Sequence, residues 1–163
     1  MATRTYNILF CGVGGQGVLK AAEICGLAAL RTGQQVRKAE VHGMSQRGGS
    51  VESHLRFGAE VFAPLIPAGQ ADFVVSFDRS EGEKFRDMLK PGGLHFNKFL
   101  PWLRKHGIDP RFENTFFLGV LSRHLPLSRE VWLAALAQGF ARAQEENRRI
   151  FLLGAETDLG DGK

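Results

Sequence analysis

Apolar and polar positions along the chain predict strands and helices that alternate. Short apolar runs bounded by Gly, Pro or polar clusters predict buried strands at residues 5–11 and 71–77, and two further strands are predicted at residues 35–41 and 94–97. Residues 50–57 instead alternate strictly between apolar or small and polar side chains, which predicts a half-exposed strand. The residues predicted to face outward on it, towards solvent or a partner, are Glu52, His54 and Arg56.

The helical segments show a wider spacing of apolar residues. Residues 17–31 place Val18, Ala22, Cys25 and Ala29 on one side, which predicts a mostly covered helix. Further helices are predicted at residues 78–89, 114–124 and 129–144, with a single turn at 101–105, and residues 145–153 either continue the last helix or form a separate one.

The order of these elements predicts an α/β fold with a single domain. The chain begins with a Rossmann-like strand, glycine turn and helix. Only residues 42–49 separate the second and third strands, and a parallel crossover needs a dozen or more residues. These two strands are therefore expected to be antiparallel or part of a hairpin-like excursion. We expect a mixed, mostly parallel sheet flanked by helices, a domain at residues 1–154 and a flexible tail at 155–163.

Charge and hydropathy exclude several classes of function. The net charge is +4, but the basic residues are scattered and lack interleaved aromatic residues, so we expect no nucleic-acid partner. No apolar run reaches the roughly 20 residues of a membrane span, and the N-terminus lacks a signal-peptide layout. We therefore expect a cytoplasmic protein without a membrane contact.

The residues that usually carry metal or catalytic chemistry are sparse. Cys11 and Cys25 do not form a Cys-x-x-Cys pair and look like small core residues, and the five histidines show no metal-ligand spacing. No plausible pair of nucleophile and base is present. We expect no metal site and no catalytic residue in this chain.

The first of two glycine-rich motifs follows the first strand. Residues 12–17 (Gly-Val-Gly-Gly-Gln-Gly) match the G-x-G-x-x-G spacing, whose amide groups can face an anion at a helix N-terminus. Glu40 lies near the place of the acid that a dinucleotide site requires. However, no helix follows Glu40, so a turn that only packs the helix on the sheet stays an equal alternative.

The second motif is the polar, glycine-rich segment at residues 42–51 (His-Gly-Met-Ser-Gln-Arg-Gly-Gly-Ser-Val). Arg47 can hold a carboxylate or phosphate with two parallel hydrogen bonds, and His42 can donate or accept near neutral pH. The alternative is that both side chains only stabilise the segment itself. The candidate cofactor-binding or interface residues of both motifs are Gly12, Gly14, Gly15, Gln16, Gly17, His42, Met44, Gln46, Arg47, Gly48 and Gly49.

These two motifs, in this order, resemble the gamma-type domain of the 2-oxoacid:ferredoxin oxidoreductases, and most of all the small beta subunit of the indolepyruvate-oxidising members. The resemblance continues with Ala71-Asp72, Lys90-Pro91-Gly92-Gly93, residues 114–119 and Glu146-Asn147. It implies a subunit that lies at the active site of a larger partner and has no turnover alone.

The resemblance also implies a reaction and its cofactors. A 2-oxoacid, here indolepyruvate or another aryl pyruvate, is decarboxylated oxidatively to acyl-CoA, with coenzyme A as co-substrate and electrons passing to ferredoxin. Thiamine diphosphate, Mg and 4Fe-4S clusters are expected in the large partner subunit rather than in this chain. Two alternatives stay open, which are a stand-alone nucleotide- or anion-binding module that uses the glycine turn and a homodimer of the isolated chain.

Overall fold

A computed structural model describes residues 4–42 and 49–158 of the chain. Five strands form one sheet in the order β2-β3-β1-β4-β5. The strands are β1 (Tyr6–Val13), β2 (Gln35–His42), β3 (Ser50–Gly58), β4 (Ala71–Ser76) and β5 (Leu89–His95). The helices are α1 (Val18–Leu30), α2 (Arg79–Lys84), α3 (Phe99–Lys105), α4 (Glu113–Ser122), α5 (Arg129–Gly139) and α6 (Gln144–Glu156).

The sheet is mixed, as predicted. β1 pairs in parallel with β4, and β4 with β5, whereas β3 is antiparallel to both of its neighbours, β1 and β2. Four of the five described strands therefore run in one direction, and β3 runs in the other. The short connection between β2 and β3 explains this reversal, because it leaves no room for a crossover helix.

The two faces of the sheet are covered very differently. Ile8 and Phe10 of β1 point into the large aromatic core beneath α1 and α3–α6, which also contains Trp132 and Cys25. Leu9 and Cys11 point to the other face, where a small cluster includes Ile66, Val74 and residues next to α2. The two cysteines are both buried, as predicted, but they lie on opposite faces of the sheet.

Two predicted boundaries are wrong. The helix predicted at residues 78–89 ends at Lys84, and residues 90–93 lie inside β5, where the pairing with β4 shifts register. The helix predicted to reach residue 144 ends at Gly139, whose carbonyl oxygen accepts a hydrogen bond from Lys20 Nζ at 3.0 Å. Residues 145–153 belong to a separate helix, α6.

The C-terminal end of the described chain is helical. α6 continues to Glu156, past the expected domain end at residue 154, and the Arg123 guanidinium donates to the carbonyl oxygen of Thr157 at 2.6 Å. Residues 159–163 of the expected tail lie outside the described residues. None of the helices described is both long and apolar enough to span a membrane.

Candidate functional site

The two glycine-rich motifs meet at one edge of the sheet. β1, β2, β4 and β5 end at this edge and β3 begins there, so the turn after β1 lies beside the segment between β2 and β3. The Gly14 N–H donates to the carbonyl oxygen of Gly49 at 3.0 Å, which joins the motifs directly. This edge, made by residues 12–17, His42 and Gly49–Ser50, is called the carboxyl edge below.

The glycine turn is stabilised by the side chain of one of its own residues, Gln16. The Oε1 atom of Gln16 accepts a hydrogen bond from the Val13 N–H at 2.9 Å, and the Gln16 N–H donates to the Val13 carbonyl at 3.2 Å. With the Gly14 amide bonded to Gly49, the N–H groups of Val13, Gly14 and Gln16 are all used within the chain. Fewer donors are left for an anion than the G-x-G-x-x-G spacing suggested, which favours the packing interpretation of the turn.

Glycine is needed at two positions of this turn for different reasons. A Cβ atom on Gly12 would lie 2.6 Å from Gln16 Oε1, so a side chain there would displace the glutamine that closes the turn. Gly17 has a φ of 80°, in the left-handed region that favours glycine, and a Cβ there would overlap the Asn114 amide. Asn114 in turn donates to the Gly17 carbonyl at 3.3 Å.

The second motif is described only at its two ends. His42 ends β2 with an exposed side chain, and its Nε2 atom lies 3.9 Å from Glu40 Oε2. Gly49 contacts the glycine turn as described above. The predicted site residues Met44, Gln46, Arg47 and Gly48 lie outside the described residues, together with Gly43 and Ser45.

The dinucleotide interpretation of Glu40 is wrong. β3 lies between β1 and the edge strand β2 that carries Glu40, so the carboxylate is not on a strand next to the glycine turn. Glu40 instead pairs with Lys38 at 3.3 Å. In a dinucleotide site the acid follows the strand adjacent to the first one, because it must reach the ribose of a cofactor bound at the turn.

A buried carboxylate that was not predicted lies at the carboxyl edge. Glu81 of α2 is 5% exposed, and it accepts a hydrogen bond from the Ser50 hydroxyl at 2.6 Å and pairs with Lys84 at 2.8 Å. The Asp78 side chain caps α2 by accepting from the Glu81 N–H. The spacing Asp-x-x-Glu is a known helix-start signal, so the sequence could have located the helix start but not the contact with Ser50.

Burial, together with the neighbouring carboxylates, keeps the thiol of Cys11 protonated. Burial raises the pKa of Cys11, and the carboxylates of Glu81, Glu52 and Asp78 raise it further. The thiolate is the reactive form of cysteine, so Cys11 is not suited to act as a nucleophile or as a metal ligand.

The outward face of β3 is covered, contrary to the prediction of a half-exposed strand. His54 is 6% exposed, and its Nδ1 atom accepts a hydrogen bond from the Ile66 N–H at 3.1 Å. Arg56 donates to Asn7 Oδ1 and to the carbonyl oxygen of Ala63, both at 2.8 Å. His54 is therefore buried and Arg56 half-buried, because residues 59–70 fold over this face.

The later motifs of the resemblance lie away from the carboxyl edge, apart from Asn114. Asp72, at the start of β4, is buried and accepts from the Asn7 N–H at 2.8 Å. Its carboxylate also pairs with Lys90 of β5 and with Arg4. Asn147 of α6 accepts from the Thr115 hydroxyl at 2.7 Å. These contacts connect elements of the fold and have no geometry that suggests chemistry.

Comparisons with known proteins identify the family and the fold of the chain. A family model described as pyruvate ferredoxin/flavodoxin oxidoreductase matches residues 7–98. The indolepyruvate oxidoreductase subunit IorB of Thermococcus kodakarensis is 50% identical over 98 residues, which are 60% of this chain and 48% of that protein. The same subunit of Archaeoglobus fulgidus is 48% identical over 88 residues, which are 54% of this chain and 43% of that protein. The matches thus span about half the length of these curated relatives.

Solved structures share the fold. The gamma subunit of a keto/oxoacid ferredoxin oxidoreductase from Geobacter sulfurreducens superposes with a TM-score of 0.74 and 24% identity, over 91% of this chain and 95% of that one. The 2-oxoglutarate:ferredoxin oxidoreductase from Magnetococcus marinus gives a TM-score of 0.78 and 19% identity, over 93% of this chain and 30% of that one. Since the family model covers more than half of the chain and both glycine-rich motifs, the chain belongs to the pyruvate ferredoxin/flavodoxin oxidoreductase family.

Proposed function

We propose that this chain is the small subunit of a thiamine-diphosphate-dependent 2-oxoacid:ferredoxin oxidoreductase that acts on indolepyruvate or another aryl pyruvate. The support for the substrate class is the name of the curated relatives, which are indolepyruvate oxidoreductase subunits at about half identity over the matched region. In the proposed reaction the 2-oxoacid loses carbon dioxide, the acyl group passes to coenzyme A and the electrons reduce ferredoxin.

The proposed role of this chain is to dock at the carboxyl edge against the larger subunit and to frame the entrance to its active site. The observation that carries this proposal is the hydrogen bond from Gly14 to Gly49, which supports one surface formed by both glycine-rich motifs. Glycines at these positions let a partner approach the backbone closely. Arg47 and His42 supply the groups that can bind a carboxylate or phosphate.

The cofactors are proposed to lie in the larger subunit, which would hold thiamine diphosphate, Mg and the 4Fe-4S clusters. The positions of the cysteines support this, since Cys11 and Cys25 are buried on opposite faces of the sheet and cannot share a cluster. Within the described part of the chain, no group of three His, Cys, Asp or Glu side chains is arranged to hold a metal ion.

The docking proposal is tested with the Arg47→Ala variant in the complex reconstituted from this chain and its large subunit. We expect the rate of 2-oxoacid-dependent ferredoxin reduction to fall roughly tenfold or more, since an interfacial charged hydrogen bond removed by truncation costs about 2 kcal/mol or more. Binding of the subunits is measured in parallel by sedimentation.

The matched control is Arg31→Ala. Arg31 follows the last residue of α1, at the far end from the carboxyl edge, and its exposed guanidinium bonds to Gln138 at 3.0 Å. This variant should assemble and turn over like the wild type. Wild-type assembly together with a wild-type rate for Arg47→Ala would refute the docking role.

A further inference from the structure

The edge of the sheet formed by β2 is open. β2 pairs with β3 on one side, and no other described strand pairs with its outer side. It is 8 residues long, about 26 Å at the rise of an extended strand, and all of its residues except Val36 and Ala39 are exposed. An unpaired strand of this length presents free N–H and C=O groups that a second strand can bind.

Symmetry limits how a second copy can pair here. Opposite residues of an antiparallel pair lie on the same face, so a two-fold axis between two β2 strands must pass through a residue and its own copy. Among the registers that pair more than half of β2, those centred on Arg37, Lys38 or Glu40 set like charges opposite each other. These registers are unfavourable because like charges directly opposite are destabilising.

The register centred on Ala39 pairs opposite charges. It sets Lys38 of each copy against Glu40 of the other, and Ala39 against its own copy. Within one copy these two side chains already lie 3.3 Å apart on the same face, so pairing would bring two positive and two negative charges together around the axis. The sequence of β2 therefore selects this register over the others.

Exposed apolar residues flank the same edge. Val41 is 44% exposed, and the Ala39-centred register sets it opposite Arg37 of the second copy. The loop at residues 59–70 lies over the face of β3 that carries Arg56, which pairs with Arg37, and it presents Phe62, 86% exposed. The neighbouring Val61 N–H donates to Gln35 Oε1 of β2 at 3.0 Å. A second copy in this register would set its Val41 opposite Arg37, two residues along the strand from Gln35.

We propose that the outer edge of β2 is a self-association site, at which two copies of this chain join their β2 strands antiparallel about Ala39 into one continuous sheet. This goes beyond the proposed function, because it uses the outer side of β2, which shares only His42 with the carboxyl edge, and needs no large subunit.

A cysteine placed at the axis tests the register. In the Ala39→Cys variant the two Cα atoms would lie about 4.5–5.5 Å apart, within the range of a disulfide. We expect the oxidised full chain to run as a covalent dimer on a non-reducing gel. Val41→Cys is the matched control, since its two copies would lie about 13 Å apart and should not link. The native thiols are both buried and do not compete.

Charge reversal tests the energetics. Glu40→Lys should raise the dissociation constant of the dimer about tenfold or more in sedimentation, because it sets lysines opposite each other twice. The double swap Lys38→Glu with Glu40→Lys should restore the wild-type constant. Glu146→Lys makes the same charge change on α6, where Glu146 pairs with Arg149 at 2.9 Å, and should leave the constant unchanged.

Three outcomes would overturn the proposal. They are a wild-type chain that stays monomeric at high micromolar concentration, a dimer that does not respond to Glu40→Lys, and linking of Val41→Cys as efficient as that of Ala39→Cys. Binding of the large subunit is measured separately, so failure of the self-association leaves the docking test at the carboxyl edge unaffected.

Discussion

At the scale of single residues, the glycine turn shows how a binding motif can also be a packing motif. The Gln16 side chain occupies the Val13 amide, and Asn114 contacts the turn at Gly17. The sequence contains both residues, but the spacing of the glycines predicted only a tight turn that either binds an anion or packs the helix on the sheet. Whether its amides face a ligand or the chain itself depended on Gln16 and Gly49.

Alanine substitutions at Gly17 and Gly15 separate two reasons for a glycine, which are a left-handed backbone and a lack of space for a side chain. Gly17→Ala should lower the free energy of unfolding by about 2–3 kcal/mol, because it adds both left-handed strain and an overlap with Asn114. Gly15 has a φ of 93° but no atom within 4 Å of its Cβ position, so Gly15→Ala should cost about 1 kcal/mol, from strain alone. Urea unfolding measures both, and equal losses would contradict the packing role of Asn114.

At the scale of elements, the close crossing of α4 and α6 is set by two glycines. A Cβ atom on Gly119 would overlap the Phe151 carbonyl oxygen, and one on Gly154 would overlap the Phe116 carbonyl oxygen. The partner atoms belong to helix backbones, which cannot move aside unless the helices separate. The sequence predicted both helical segments. It did not predict the distance between the two helices, which depends on the residues that face each other at the crossing.

Two Gly→Ala changes in helices should therefore change the stability of the protein in opposite directions. Gly119→Ala should destabilise the protein by about 3 kcal/mol or more, because the helices must separate. Gly26→Ala in α1 should stabilise it by about 0.5–1 kcal/mol, because its Cβ would lie at ordinary contact distances of 3.4 Å and 3.5 Å from Leu55 and Val36. Thermal and urea unfolding measure both changes in stability. If Gly119→Ala stabilised the protein, α4 and α6 would have room for a methyl group at their crossing, which would contradict this prediction.

At the scale of the whole molecule, residues 59–70 convert an exposed sheet face into a buried one. The period-two pattern of residues 50–57 correctly predicted a strand and its alternation. It could not predict that a loop later in the chain would cover the polar side. As a result His54 is a buried group that contributes to stability, rather than a surface residue available to a partner.

This burial makes the stability of the fold depend on pH. Burial lowers the pKa of His54 below its ordinary value of 6.5, although nearby Glu52 opposes the shift. The unfolded chain therefore binds a proton more readily than the folded one, so the contribution of neutral His54 is present above pH 6.5 and is lost as the pH falls through the folded-state pKa. The wild type should be less stable at pH 5 than at pH 7.

The His54→Asn variant isolates this contribution, since an amide oxygen can still accept the Ile66 N–H. We expect the loss of unfolding free energy between pH 7 and pH 5 to be smaller in this variant than in the wild type. Some loss should remain, because burial also lowers the pKa of His95. An unchanged pH dependence of urea unfolding would argue that His54 has the same protonation in both states.

The sequence by itself determined the α/β class, the reversal of β3 and the presence of two glycine-rich motifs, because periodicity, loop length and glycine spacing are local properties. Tertiary structure alone decided that Ser50 meets Glu81, that Gly14 binds Gly49 and that His54 is covered. These contacts join residues far apart in the chain. They follow from strand order and register, which set the neighbours of each side chain and are not encoded in any short stretch of sequence.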